Sequence, residues 1–166
     1  MVEKSMPEAE QRVREILATV KDPEIPVLTV EDMGIIRDIE LDGQKVKVKI
    51  TPTYSGCPAM DEIAADIRKA LLAEGYEPEV VSVLSPPWSS LWISAEGRRK
   101  MEVYGIAAPL EEVADKRALM GEKRVVKCTH CGSMNTRLVS QFGSTACKAL
   151  FQCNDCLEPF DYFKCI

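Results

Sequence analysis

Two CxxC pairs near the C-terminal end constrain this chain more than any other feature of its sequence. Cys128 and Cys131 form the first pair, Cys153 and Cys156 form the second, and 21 residues separate the pairs. Two-residue spacing lets both thiolates of a pair face one ion, and two such pairs complete a tetrahedral four-sulfur site. The segment 125–166 is too small for an ordinary core, so metal binding would supply much of its folding free energy. We therefore predict a structural metal site with these four ligands.

The identity of the metal follows from the ligand chemistry. Zinc is favoured because four thiolates close the site and leave no open position for chemistry, although tetrathiolate sites also hold iron. A redox-active pair of the thioredoxin type needs a strand-to-helix context, which neither pair has. His130, inside the first pair, is expected to point to solvent. Cys147 and Cys165 are interpreted either as small buried hydrophobic residues or as ligands of a second or exchanged site.

Composition excludes several classes of protein. The chain of 166 residues has one histidine, so a two-histidine HExxH zinc site is excluded, and no GxSxG, GxGxxG or GxxxxGK[ST] motif occurs. A net charge of −5 argues against broad attraction to nucleic acid. No export signal is recognisable, and no apolar run reaches the ~18 residues that a membrane-spanning helix needs. In a chain without an export signal, CxxC pairs favour metal binding over disulfides, so we predict a reducing, cytoplasmic location.

Hydrophobic periodicity predicts a small α+β domain over residues 1–108. Val13, Ile16, Leu17 and Val20 form one apolar helical stripe, and Asp42-Gly43 joins two strands as a tight hairpin. The predicted elements are a helix over 7–20, strands over 35–41 and 45–51, a helix from Pro58 to about residue 74, a strand over 80–84 and a helix over 94–104. This order predicts a three-stranded sheet with helices on one face.

The second half of the chain differs in character. Residues 109–124 are dense in charge and are interpreted as a linker, and residues 125–166 are interpreted as a β zinc ribbon. Its predicted strands cover 136–141, 148–152 and 160–164. We therefore predict two domains, 1–108 and 125–166, joined by the charged linker.

Cys57 is the one cysteine of the first domain. It precedes Pro58 at the start of a predicted helix, where the helix dipole lowers a thiol pKa and favours the thiolate. It is either a metal or cluster ligand, a reactive thiol, or a small capping residue. Asp22 and Glu24, held between two prolines, are either further polar ligands or ordinary capping acids.

Aromatic residues allow two interpretations as well. Trp88 and Trp92 form either a hydrophobic cluster over the sheet or an exposed anchor for a partner protein. In the ribbon, Phe160, Tyr162 and Phe163 are expected to cover the metal site or a protein partner. Because the ribbon segment has only four basic residues, a nucleic-acid-binding zinc ribbon is the weaker alternative.

Several segments carry a family resemblance: DPEIP at 22–26, MGII at 33–36, YSGCP at 54–58, PPWSSLWI at 86–93, GIAAP at 105–109 and EPFDYFK at 158–164. The first three resemble the iron–sulfur-cluster assembly domain of cluster-targeting factors. The whole set resembles the PaaD family of accessory proteins of the bacterial phenylacetyl-CoA epoxidase, and this resemblance covers nearly the whole chain.

The resemblance implies a non-catalytic helper in aerobic phenylacetate breakdown. It implies assistance in maturing the multicomponent monooxygenase, in particular the iron–sulfur cluster of its ferredoxin-type reductase, with monooxygenase subunits as partners. The family's assembly cysteine falls on Cys57 and its acidic positions fall on Asp22 and Glu24. One cysteine cannot hold a cluster alone, so a transient cluster would be shared with a client or within a homodimer. The alternative is a scaffold subunit of the same complex.

Overall fold

The computed structural model describes residues 7–54, 56–109 and 125–163. Its internal contacts divide the chain between Trp88 and Ser89 into two compact units, called here the first and second units. The predicted linker lies almost wholly outside the described residues, as does Cys165. No helix among the described residues is long and apolar enough to span a membrane.

The first unit is an α+β domain, as predicted. Its elements are α1 (Glu8–Leu17), β1 (Ile36–Asp42), β2 (Lys45–Ile50), α2 (Ala59–Ala73) and β3 (Glu77–Ser82). The sheet has the order β1-β2-β3, with β1 antiparallel and β3 parallel to β2. Gly43, at φ 61°, makes the hairpin turn between β1 and β2. Helix α2 is the crossover that the parallel pairing of β2 and β3 requires.

The core of the first unit follows the periodicities of the sequence. Val46, Val48 and Ile50 of β2 are buried, whereas the alternating lysines are not. On the other side of the sheet, Lys49 Nζ donates to Asp38 Oδ2 at 3.0 Å and to Glu40 Oε1 at 2.6 Å. The buried helical residues are Val13, Ile16 and Leu17 of α1 and Ala59, Ile63, Ile67 and Leu71 of α2. The sheet therefore has one buried face and one solvated face.

Strand β3 begins earlier than the predicted 80–84. It starts at Glu77 and includes Pro78, which has no N–H to donate. Proline is tolerated here because β3 is an edge strand with one neighbour. Helix α1 ends at Leu17 rather than near residue 20, although Val20 is buried as the apolar stripe predicts.

The second unit contains a helix and a four-stranded sheet. A 3-10 turn (Ser90–Trp92) precedes α3 (Ala95–Tyr104), β4 (Ile106–Ala107), β5 (Thr136–Ser140), β6 (Lys148–Cys153) and β7 (Pro159–Phe163). The sheet order is β4-β7-β6-β5; β4 is parallel to β7, and the other pairs are antiparallel. Ser94 caps α3, as predicted, because its Oγ accepts the N–H of Gly97 at 2.9 Å.

The unit boundary differs from the predicted domain boundary at residue 108. Because β4 pairs with β7, the segment 89–108 belongs with the ribbon rather than with the three-stranded sheet. The sequence pattern locates α3 well. Strand β4, however, has only two residues, which is too short for a hydrophobic period, and its partner β7 lies more than 50 residues later in the chain. Local sequence therefore could not assign this segment to its unit.

Of the aromatic residues interpreted in two ways from the sequence, the structure buries all except Trp92, which is half-buried. Trp88 is buried and its Nε1–H donates to the Met33 carbonyl at 2.9 Å, in agreement with the cluster interpretation. In the second unit, Phe160, Tyr162 and Phe163 are buried. Since they are inaccessible, these three side chains are not a partner-binding surface.

The Trp88 hydrogen bond gives a stability prediction. Trp88→Phe should lower the free energy of unfolding by roughly 1–3 kcal/mol, because the buried Met33 carbonyl loses its donor. Urea unfolding followed by far-UV circular dichroism measures this change. The exposed control Leu72→Ala should change it by less than about 0.5 kcal/mol. Equal effects of the two variants would contradict this role of Trp88.

Candidate metal centre and thiol site

The two CxxC pairs meet at one point of the second unit. The Sγ atoms of Cys128, Cys131, Cys153 and Cys156 all lie within 4.8 Å of one another. Cys128 Sγ is 3.7 Å from Cys156 Sγ, and Cys131 Sγ is 3.6 Å from Cys153 Sγ. Disulfide sulfurs are only ~2.05 Å apart, so these are four separate thiols. The predicted ligands are therefore together.

The sulfur geometry fits a tetrahedral ion. Zn–S bonds of about 2.3 Å place the sulfurs of a regular tetrahedron about 3.8 Å apart. The separations of 3.6 and 3.7 Å are close to this value, and the other sulfur pairs lie within 4.8 Å. All four donors are sulfur, which suits zinc or iron and not magnesium or calcium. The residues thus fit a closed four-thiolate site without a position for substrate.

Backbone N–H groups support the sulfurs. His130 N–H donates to Cys128 Sγ at 3.3 Å, and Cys156 N–H donates to Cys153 Sγ at 3.5 Å. The N–H of Cys156 and then that of Asp155 lower the pKa of the Cys153 thiol to about 7 despite burial. The pKa of Cys131 is raised despite a hydrogen bond from the Ser133 N–H, and, despite the Glu158 N–H, desolvation and the neighbouring thiols raise the pKa of Cys156 to about 12. The backbone donors therefore favour the thiolate at Cys153 and not at Cys131 or Cys156, where a metal would have to displace the proton.

The two turns share an unusual backbone conformation just after the second cysteine. Gly132 has φ 78° after the first pair, and Leu157 has φ 65° after the second. Glycine adopts this left-handed region without steric cost, whereas leucine does so at a cost of ~1–2 kcal/mol. Leu157 is the one non-glycine residue with positive φ in the described part of the chain. Closure of the site by metal would offset this strain.

Polar side chains outside the ligand set connect the two turns. The Asp155 carboxylate accepts the hydroxyl of Ser133 and, at 3.1 Å, the amide of Asn135. These donors lower the pKa of Asp155. Asn154 reaches Asn135 through its backbone N–H at 2.9 Å and its side-chain amide at 3.0 Å. This network was not predicted, although polar residues recurring in and after the CxxC motifs could have indicated it.

An aromatic core lies beside the metal ligands. Phe151 stacks on Phe160 at 6.0 Å between ring centroids and meets Tyr162 edge to face at 5.5 Å. These rings belong to the same buried cluster as Cys128 and Cys153. The metal site and the small core therefore depend on each other.

Two residues near the site are outside it. His130 is exposed and its Nε2 lies 3.2 Å from the Pro159 carbonyl, so its imidazole is not turned to the sulfurs. Cys147 is buried and its Sγ lies 3.0 Å from Thr145 Oγ1. It is not in the four-sulfur group, which fits the interpretation as a small buried residue.

The first unit contains the other candidate site, at the start of α2. Pro58 is the N-cap residue of α2 and Cys57 precedes it, half-buried. The N–H of Ala59 and the hydroxyl of Tyr54 form hydrogen bonds with the thiol. The position next to the helix start is therefore as predicted.

The predicted acidity of Cys57 is wrong. Burial raises the pKa of this thiol above its ordinary value, and the Glu24 and Asp22 carboxylates raise it further. The hydrogen bonds from Ala59 and Tyr54 act in the opposite direction but are outweighed. Desolvation thus exceeds the effect of the helix terminus, and the resting group is a neutral thiol.

The two acidic residues lie on one turn near Cys57. The Asp22 carboxylate is buried and accepts the N–H groups of Glu24 at 2.8 Å and Ile25 at 3.0 Å. Asp22 therefore holds the turn in the manner of a capping acid, whereas Glu24 is half-buried. The structure brings Cys57, Asp22 and Glu24 within electrostatic reach of one another.

Comparison with known proteins matches both halves of the chain. The iron-sulfur cluster assembly protein family matches residues 10–85, and the PaaD zinc beta ribbon domain matches residues 112–164. A protein of Escherichia coli K12 that is named as one of the subunits of 1,2-phenylacetyl-CoA epoxidase is 44% identical over 91% of this chain and 90% of its own length.

Two further relatives resemble the first half. An Fe-S protein maturation auxiliary factor of Porphyromonas gingivalis is 34% identical over 54% of this chain and 87% of its own length. A crystal structure of a DUF59 domain of unknown function from Bacillus anthracis superposes with a TM-score of 0.53 and 28% identity. It covers 57% of this chain and 92% of that one.

Because the Asp155 network connects the two turns, the native chain should release metal more slowly than a variant without the Asp155 carboxylate. Asp155→Ala should raise the rate of metal loss to a chelator by about 10–100-fold, because the turns lose their connecting carboxylate. A colorimetric zinc chelator measures this rate on the intact chain. Glu158→Ala is the matched control, since that exposed acid is also close to Cys156 in the chain, and its rate should stay native. A native rate for Asp155→Ala would contradict the network's role.

The raised pKa of Cys57 predicts a pH profile. Alkylation of Cys57 by iodoacetamide, resolved by peptide mass spectrometry, should reach half its maximal rate at a higher pH than a free cysteine does. Glu24→Gln removes a negative charge, so it should move this midpoint to lower pH. The control Glu79→Gln, on β3, should leave the midpoint unchanged. A midpoint below that of free cysteine would contradict the assignment.

Proposed function

The chain belongs to the PaaD family of phenylacetyl-CoA epoxidase accessory proteins, and from this premise we propose that it helps mature that multicomponent monooxygenase. Its specific task would be to assist assembly of the iron–sulfur cluster in the ferredoxin-type reductase component. The observation that carries this proposal is the convergence of Cys57, Asp22 and Glu24 inside the segment that matches the cluster assembly family.

The chemistry of this site suits brief handling of iron–sulfur cargo. Thiolate sulfur and carboxylate oxygen both bind iron, and a thiol with a raised pKa is a neutral group until iron displaces its proton. One thiol and two carboxylates do not complete the usual four cysteine ligands of a cluster. The remaining ligands would come from the client or from a second copy of the chain, which favours transfer over storage.

The ribbon has a different part in this proposal. Its four thiolates would hold zinc permanently, which adds to the small aromatic core in organising the four-stranded sheet of the second unit. A metal site in which protein ligands take all four positions stabilises the fold and leaves no position for a substrate. We assign the ribbon the task of docking the monooxygenase client, and no catalytic residue is proposed in either unit.

A second candidate is a scaffold subunit of the same complex. The observation that favours it is the half-burial of Cys57, with a raised pKa and with Asp22 engaged in capping its own turn. Under this alternative the thiol packs the start of α2, and the chain holds monooxygenase subunits together without touching a cluster.

Substitution of Cys57 separates the two candidates. Cys57→Ser should lower the iron and sulfide content of the co-produced reductase to that found without the accessory protein, because serine removes the sulfur ligand and keeps the side-chain size. Iron and acid-labile sulfide assays of the purified reductase measure this content. The control Cys147→Ala removes a thiol outside both sites and should leave full cluster content. Full content with Cys57→Ser would exclude the transfer role and support the scaffold.

A further inference from the structure

The outer edge of β5 exposes more apolar surface than an edge strand of a natural sheet normally does. This β5 edge comprises residues 134–142, and β5 is the last strand in the order of its sheet. The exposed fractions are 55% for Met134, 40% for Leu138, 49% for Val139 and 68% for Phe142. Natural edges are blunted by charge, proline or bulges. Here one bulge lies at Val139 and one charge lies at Arg137.

Leu138 is the exposed last member of a row of apolar residues that runs across three neighbouring strands, β7, β6 and β5. It is opposite Phe151 on β6, and Phe151 is opposite Phe160 on β7. Phe151 and Phe160 are 1% and 4% exposed, whereas Leu138 is 40% exposed. Directly opposed residues on neighbouring strands share a face of the sheet, so a strand added beside β5 would place a side chain on Leu138 and extend this row. The incoming residue must be apolar to do so.

Arg137 indicates the charge of the occupant. Its guanidinium donates to the Gln152 side-chain oxygen at 2.5 Å, and the Gln152 amide donates to the Leu157 carbonyl at 2.9 Å. These neutral contacts hold the guanidinium in place without cancelling its charge, and no salt bridge to it occurs among the described residues. A carboxylate on the incoming strand would complete a charge-assisted hydrogen bond.

A second copy of the chain fits this edge poorly. Antiparallel pairing of two β5 strands with Leu138 opposite Leu138 places each Arg137 diagonal to the other, about 7–8 Å away. Neither strand contains a carboxylate to separate the two positive charges. Two diagonal arginines gain nothing from each other, whereas a carboxylate on an incoming strand would pair with Arg137. The charge of the edge therefore favours a different protein.

We propose that the β5 edge binds an extended segment of an epoxidase subunit as an additional strand, with an apolar residue on Leu138 and a carboxylate on Arg137. Backbone hydrogen bonds along the edge supply affinity, and these two side chains supply the register. This inference rests on the proposed function, because it locates the ribbon surface through which the accessory protein reaches its client.

The test uses the full chain and the other purified subunits of the epoxidase. Leu138→Lys, which puts a charge on the edge, and Arg137→Glu, which reverses the anion-binding charge, should each weaken binding by about tenfold or more. Val103→Lys and Arg68→Glu are the matched controls, since both positions are exposed and the charge changes are the same. They should bind as the native chain does. Hydrogen exchange of the complex should show new amide protection within 134–142.

The outcomes are distinguishable. A complex whose new protection lies outside 134–142, and which Leu138→Lys and Arg137→Glu leave intact, would overturn the docking inference while the accessory function stands. A doubled chain mass in light scattering that Leu138→Lys abolishes would also overturn it, because a second copy would then occupy the edge. If no epoxidase subunit binds the native chain, the proposed function itself is contradicted.

Discussion

Closure of four thiolates around one point is the constraint on which the second unit depends. It joins residues 128–131 to residues 153–156, and the strands between them must then pair. Phe151, Phe160 and Tyr162 add a small aromatic core to the sulfur cluster. The Asp155 network connects the same two turns, and Leu157, with its positive φ, directly follows the second of them. A sheet this small would not otherwise overcome its conformational entropy.

The first unit is stabilised in a different way. Its sheet has one face covered by apolar side chains from α1, α2 and the alternating residues of β2, and no metal is needed. The half-buried position of Cys57 between a helix start and two carboxylates is a separate chemical environment, in which burial decides the protonation state. The cysteines of the two units thus lie in different environments, four grouped sulfurs in the second unit and a single half-buried thiol in the first.

Sequence could predict what depends on short-range pattern. The period of two in 45–50 and the i, i+3, i+4 spacing in α1 indicated the elements of the first unit. The CxxC spacing indicated the four cysteines whose sulfurs the structure brings together. Pairing of β4 with β7 was beyond reach because two residues have no period. The raised pKa of Cys57 was missed for a related reason. Pro58 indicates in the sequence where a helix and its dipole begin, but desolvation of the thiol depends on tertiary packing, which local sequence does not show.

We propose that zinc and iron–sulfur cargo occupy different thiols of the same chain. Metal analysis and the absorption spectrum of anaerobically purified chain, after reconstitution with iron and sulfide, test it most directly in the native and Cys57→Ser forms. We predict one zinc per chain in both forms. We predict iron–sulfur absorption in the native form alone, where a second copy of the chain supplies the ligands that one Cys57 lacks. Iron in place of zinc at the four-cysteine site, or the same iron–sulfur absorption without Cys57, would contradict the claim.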